Sequence, residues 1–164
     1  MGRFMMNTAQ RLKKLNLPFW QKKTSYSEKK QKMSNHRAFV ATIIFSCFIG
    51  TYLDLLFVGK QMYSFPARPF PDIFTINVAF TLLILPIFTT LFLWIAKALT
   101  AFSRILFIVL IGLCISISES FSENLGLFTH SEAWHHSYSL FGYMIFMLII
   151  WKFYRWFHKQ STVL

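Results

Sequence analysis

Acidic residues are scarce in this chain. Six Asp and Glu stand against seventeen Lys and Arg among 164 residues. Cysteine is scarcer still: there are two, too few to build a disulfide scaffold. No G-x-S-x-G elbow, P-loop, Rossmann glycine fingerprint or H-E-x-x-H pair occurs, so the common signatures of hydrolase, nucleotide and zinc chemistry are missing. On sequence we therefore assign no catalytic residue and expect no cofactor. Long stretches lack charge of either sign. With 55% hydrophobic residues and a mean hydropathy of +0.46, the chain is far too apolar to be disordered throughout.

The charge that is present is concentrated at one end. Residues 1–37 hold ten Lys/Arg and one acid, Glu28, for a net charge of +9, while the other 127 residues carry only +2. Three parts are expected: a basic arm (1–37), an apolar domain (38–157) and a short tail (158–164). The arm shows no nucleic-acid-binding motif. Beside a membrane its bases would be drawn to anionic lipid, at about 1 kcal/mol each near the surface.

A hydrocarbon layer about 30 Å thick is crossed by about 20 helical residues. Four segments reach that length: about 38–58, 73–96, 104–125 and 130–152. Four spans put both termini on one side. That side would hold fifteen bases, counting the arm, Lys97, Arg104, Lys152, Arg155 and Lys159, and the other side only Lys60 and Arg68. The positive-inside rule then makes the fifteen-base side cytoplasmic. The expected fold is an all-α membrane protein, an antiparallel four-transmembrane-helix bundle with a basic N-terminal cytoplasmic arm. The first span is expected to stay uncleaved, since Phe45 is bulky for a cleavage site and the chain after Cys47 remains apolar. Cys47 and Cys114 fall inside spans as packing residues.

The third and fourth spans need their polar ends to reach full length. Gly126 suits the residue after a helix C-cap, and Thr129 with Glu132 fits a T-x-x-E capping box. Together they predict a tight hairpin turning at 126–129, with Glu123 level with Glu132 and Glu119 level with His136. Asp54 lies near the outer end of span one, and Asn77 near that of span two. The expectation is one polar layer in the outer leaflet, built from Asp54, Asn77, Glu119, Glu123, His135 and His136. Ionisable groups within a membrane are costly unless paired and tend to mark sites or pathways. Glu119 and Glu123 lie four residues apart on one face, where both cannot ionise cheaply, and a nearby histidine can take up a shared proton. Three readings stay open: a structural polar lock, a protonatable or ligand-binding site, and a metal site using Glu119, Glu132 and His135. The last rests on a single E-x-x-H spacing, whereas di-metal bundles use two, so no metal is assigned. His130 reads as interfacial, and His36 and His158 fall on the cytoplasmic side without a site role.

The segment GKQMYSFPARPFPD holds three of the five prolines, Pro66, Pro69 and Pro71, and is expected to be extended. Tyr63, Phe65 and Phe70 are placed to cover the polar layer, and Arg68 is a candidate counter-charge for Asp54 or Glu123. Pro86 is expected to kink span two. Ser46/Gly50 and Gly112/Ser116 are small-xxx-small pairs suited to close helix contact.

The stretches TYLDLLFVGKQMYSFPARPFPDIFTINVAFTL and HSEAWHHSYSLFGYMIF resemble a family of small, uncharacterised four-span integral membrane proteins of Bacillus-like spore-forming bacteria. The resemblance covers about residues 38–157. It implies a multi-pass protein of a bacterial plasma membrane and transfers no functional residue. The expected function is non-enzymatic: a structural, interaction or ligand-binding membrane protein. Its expected partners are the bilayer, anionic lipids at the arm, and a second copy or another membrane protein; nucleic acid is not among them. The alternatives are a small oligomeric transporter or proton-coupled carrier, and a membrane-embedded enzyme using the Glu/His cluster.

Overall fold

The structure, a computed structural model, describes residues 19–132 and 134–163, without the side chains of residues 19–30, His136 and residues 162–163. The expected basic arm therefore lies outside the described residues as far as residue 18. Four long helices make up most of the described chain. They are α1 (Phe19–Gly59), α2 (Leu85–Ala98, continuing a π-helical turn at Phe80–Ile84), α3 (Ala101–Asn124) and α4 (His136–Val163). Two two-residue strands, β1 (Tyr63–Ser64) and β2 (Thr129–His130), form an antiparallel pair. All four helices are long and apolar enough to cross a membrane, over Gln31–Gly59, Phe80–Ala98, Ala101–Asn124 and Ser137–Ser161.

The helix ends follow from local chemistry. Both α1 and α3 finish in a Schellman turn. After α3, the Leu127 N–H reaches the Ser122 carbonyl and the Gly126 N–H reaches that of Glu123. Gly126 has φ +69° there, the left-handed conformation that glycine adopts without penalty. After α1 the same pair of bonds runs from Met62 to Phe57 and from Gln61 to Val58. Here the left-handed residue is Gln61, with φ 56°. Thr100 caps α3, its hydroxyl accepting from the Ser103 N–H at 3.3 Å.

The π-helical turn answers Pro86. A proline inside a helix has no N–H to donate and crowds the carbonyl four residues back. The Leu85 N–H instead bonds the Phe80 carbonyl, five residues back. The wider turn thus comes immediately before the proline.

The start of span two and the α1–α2 and α3–α4 connections differ from the sequence expectation. Residues 73–77 are not helical. The proline-rich segment stays irregular to that point, and the Asn77 side chain opens the helix by accepting from the Phe80 N–H at 3.2 Å. The expected hairpin at 126–129 is also absent. Thr129 lies in β2, and its hydroxyl bonds Ser64 at 2.8 Å. Glu132 is exposed, and α4 begins only at His136. The T-x-x-E spacing is present, but its threonine is engaged by a strand 65 residues away in sequence.

Helix α1 packs on both α2 and α4, and α3 packs on α4. Phe45 stacks on Phe153 with centroids 4.1 Å apart, and Tyr154 donates to Asn35 at 3.3 Å. Close approach is made at two glycines. A Cβ on Gly50 would collide with Leu85 Cδ2, and one on Gly112 would lie 3.1 Å from Leu140 Cδ1 and Met144 Cγ. Ser46 and Thr89 join α1 to α2 by a buried hydroxyl pair at 2.8 Å. At the α2–α3 turn, Arg104 donates to the carbonyls of Ala96 (2.9 Å) and Leu99 (2.5 Å) and lies 3.9 Å from the centroid of the Trp151 ring.

The interior mixes apolar side chains such as Phe92, Leu93, Met147 and Ile150 with small polar ones, and the surface is apolar. Thr42, Ser46, Thr81, Thr89, Ser139 and Asp54 are buried. Ile44, Phe48, Leu82, Ile87, Leu110, Ile117, Phe141 and Ile145 are exposed. Contiguous apolar exposure on every helix is what hydrocarbon favours and water penalises.

Candidate polar site

Asp54 lies on the last turns of α1 and is about nine-tenths buried. Tyr63 returns over it from β1 and donates its phenolic hydrogen to Asp54 Oδ1 at 2.7 Å. Asp54 Oδ2 is buried and has no hydrogen-bond partner among the described residues. Glu119 of α3 is close enough for its carboxylate to act electrostatically on Asp54. Tyr143 of α4 lies beside Glu119. The site is thus two carboxylates and two phenols, contributed by α1, β1, α3 and α4. Each acid has a tyrosine beside it; Asp54 is buried and Glu119 half-buried.

Aromatic rings close the site from the loop side. Tyr63 packs against Phe57, Phe65, Phe128 and Trp134 with centroids 5.3–5.9 Å apart. Trp134 is anchored by its indole N–H, which donates to Ser139 Oγ at 3.2 Å. The β1–β2 pair and the bond from the Ser131 N–H to the Met62 carbonyl hold the α1–α2 and α3–α4 connections together. Burial first, and the Asp54 carboxylate second, push the Tyr63 phenol above its ordinary value near 10. Tyr63 therefore stays a neutral donor at physiological pH.

The other candidate residues lie apart from this cluster. Asn77 is half-buried and caps its own helix. Glu123 pairs with His130, Oε1 to Nδ1 at 3.3 Å, near the surface. His135 is exposed and meets the Tyr138 ring edge-on at 5.5 Å. The side chain of His136 lies outside the described residues. Arg68 donates to three loop carbonyls, those of Phe74 (2.6 Å), Phe65 (2.7 Å) and Pro71 (3.2 Å). It stabilises the proline-rich segment internally and forms no ion pair with Asp54 or Glu123. Phe70 is 65% exposed, so of the three expected cover residues only Tyr63 and Phe65 join the aromatic layer. Among the described residues, no group of three or more His, Cys, Asp or Glu can hold a metal ion.

The sequence places Tyr63 only as a cover over the polar layer and does not single out Tyr143, because a phenol is neutral at pH 7 and does not stand out as a charge partner for an acid. The signal for Tyr143 is its position as a hydroxyl-bearing residue in the apolar run SLFGYMIFML. A buried phenol needs an acceptor, and the acids are the strongest acceptors available.

No protein-family model, curated protein or solved structure matches the chain.

Proposed function

We propose that this chain is a non-enzymatic integral membrane protein of four antiparallel spans with both termini in the cytoplasm. In this reading Asp54, Tyr63, Glu119 and Tyr143 form a polar binding site in the outer leaflet. The resemblance to four-span proteins of spore-forming bacteria favours a bacterial plasma membrane. The α1–α4 contacts support the antiparallel arrangement, since residues early in α1 meet residues late in α4. The charge asymmetry supports the orientation. It leaves the arm's bases beside anionic lipid and the acids on the far side.

One observation carries the reading of the site: a nine-tenths buried carboxylate, Asp54, with an oxygen lacking any donor among the described residues, sits beside a second carboxylate. Like charges in a low-dielectric interior repel strongly. The bare Asp54 oxygen calls for a hydrogen-bond donor, which can be a proton shared with Glu119 or a donor group of a ligand or partner. The same pair favours a second reading, a proton-coupled carrier. Four spans enclose little space, so that carrier would require several copies.

The test is infrared spectroscopy of the reconstituted protein at neutral pH. The carbonyl-stretch band of a protonated carboxylic acid is expected in the wild type, and should disappear in Asp54→Asn or Glu119→Gln. If wild type and both variants lack the band, the shared proton is refuted. Proton flux into dye-loaded liposomes that is lost in the same variants would decide for the carrier. Labelling of Ser64→Cys and Ser161→Cys in cells tests orientation. Modification of position 161 alone from outside would reverse it.

A further inference from the structure

The basic end of α4 has a feature that the polar site does not use. Lys152, Arg155, Trp156 and Lys159 line one open depression on the helix surface. Their spacing of three and four residues puts them on one face. All four are exposed, Trp156 at 56%. Arg155 is near enough to repel Arg104 electrostatically, so the patch adjoins another cation.

We propose that this face of α4 is a specific seat for the headgroup of an anionic phospholipid. This rests on the membrane placement proposed above. Trp151, engaged with Arg104 at the α2–α3 turn, marks the edge of the hydrocarbon layer. Lys152, Arg155 and Trp156 follow it by one to five residues, or about 2–8 Å along the helix axis. The headgroup region on each side of a bilayer is about 5–8 Å thick. Those three residues span that layer, and the Lys159 stem can bend back toward it. An exposed indole suits the same layer, where its ring meets acyl chain and its N–H meets polar groups. Three cations with one amphipathic ring match a phosphate ester attached to a lipid tail. Free phosphate offers no apolar part for Trp156 to contact.

The test uses the full chain in nanodiscs. Lipid selectivity is read from the immobilised fraction of spin-labelled phosphatidylglycerol against spin-labelled phosphatidylcholine. Each cation near the surface contributes about fivefold. The combined variant K152Q/R155Q/K159Q should therefore lower the preference for phosphatidylglycerol at least tenfold, and Trp156→Ala should lower it further. Substitution of Arg3, Arg11, Lys13 and Lys14 by Gln should leave most of the immobilised component in place. If the arm variant removes the preference and the α4 variant keeps it, the seat is refuted. Displacement of the lipid by millimolar inorganic phosphate would show recognition of phosphate alone and also refutes it. A protein that fails to insert into phosphatidylcholine nanodiscs overturns the membrane reading itself. Insertion without lipid preference overturns only the seat.

Discussion

Replacing Tyr63 by Phe isolates one atom of the polar site. The ring contacts of Tyr63 with Phe57, Phe65, Phe128 and Trp134 are all available to phenylalanine, and only the hydrogen bond to Asp54 at 2.7 Å is removed. A hydrogen bond to a charged group contributes about 1.5–3 kcal/mol. Without it both oxygens of a buried carboxyl lack a donor, so the loss should fall in that range. The folding equilibrium constant would drop about 10- to 150-fold. Reversible unfolding in mixed dodecylmaltoside–SDS micelles measures this directly. Repeating the substitution in an Asp54→Leu background closes a double-mutant cycle. That background has no acceptor, so removing the hydroxyl should cost close to nothing. If Tyr63→Phe loses less than about 0.5 kcal/mol, or loses as much in the Asp54→Leu background as with Asp54 in place, the bond does not stabilise the fold and the reasoning fails.

Four more outcomes rest on contacts already described. Because the folded state holds the Tyr63 phenol above its ordinary value, its contribution to stability is complete below about pH 10 and is lost as pH rises past that point. Unfolding followed between pH 8 and 11 should show a smaller alkaline decline for Tyr63→Phe than for wild type; equal declines refute it. Gln61→Gly should stabilise by about 1 kcal/mol, because Gln61 occupies a left-handed position that glycine adopts freely; a lower melting temperature would count against this. Gly50→Ala should cost about 1–3 kcal/mol through collision with buried Leu85, and more than Gly112→Ala, whose neighbours need to move only a few tenths of an ångström; the reverse order in unfolding assays would contradict the packing. Ser46→Ala and Thr89→Ala should be non-additive by about 0.6–1.7 kcal/mol, the range found for hydrogen bonds between membrane helices, and strict additivity would remove the bond from the account.

The sequence made some features readable and hid others for identifiable physical reasons. The apolar runs gave four helices because span length is set by rise per residue and bilayer thickness, both independent of tertiary contacts. Gly126 was readable as a helix stop because few other residues accept positive φ. Asp54 and Glu119 stood out because acids are rare in such runs. The connections were not readable. Thr129 and Glu132 match a capping box, yet Ser64 engages the threonine hydroxyl, and no local pattern announces a partner 65 residues away. Arg68 read as a free counter-charge because loop carbonyls carry no signature in the sequence, although three of them hold it. Tyr63 was readable only as a cover and Tyr143 not at all, because the role of a phenol depends on which acceptor it reaches, and that is fixed only by packing.

The pairing of Asp54 with Tyr63 also bears on biosynthesis. In a chain inserted as it is made, α1 meets the bilayer long before α3 and α4 exist. Tyr143 is 89 residues beyond Asp54, which at about 5–20 residues per second is a delay of roughly 4–18 s. Tyr63 follows Asp54 by nine residues and emerges within about two seconds at the same rate. In the proposed topology the nascent chain thus carries a partner for Asp54 on the segment that directly follows α1, available before any later helix arrives. Tyr63→Phe should then leave α1 exposed to quality-control proteases during synthesis, and reduce the yield of inserted protein more than the loss of equilibrium stability alone accounts for.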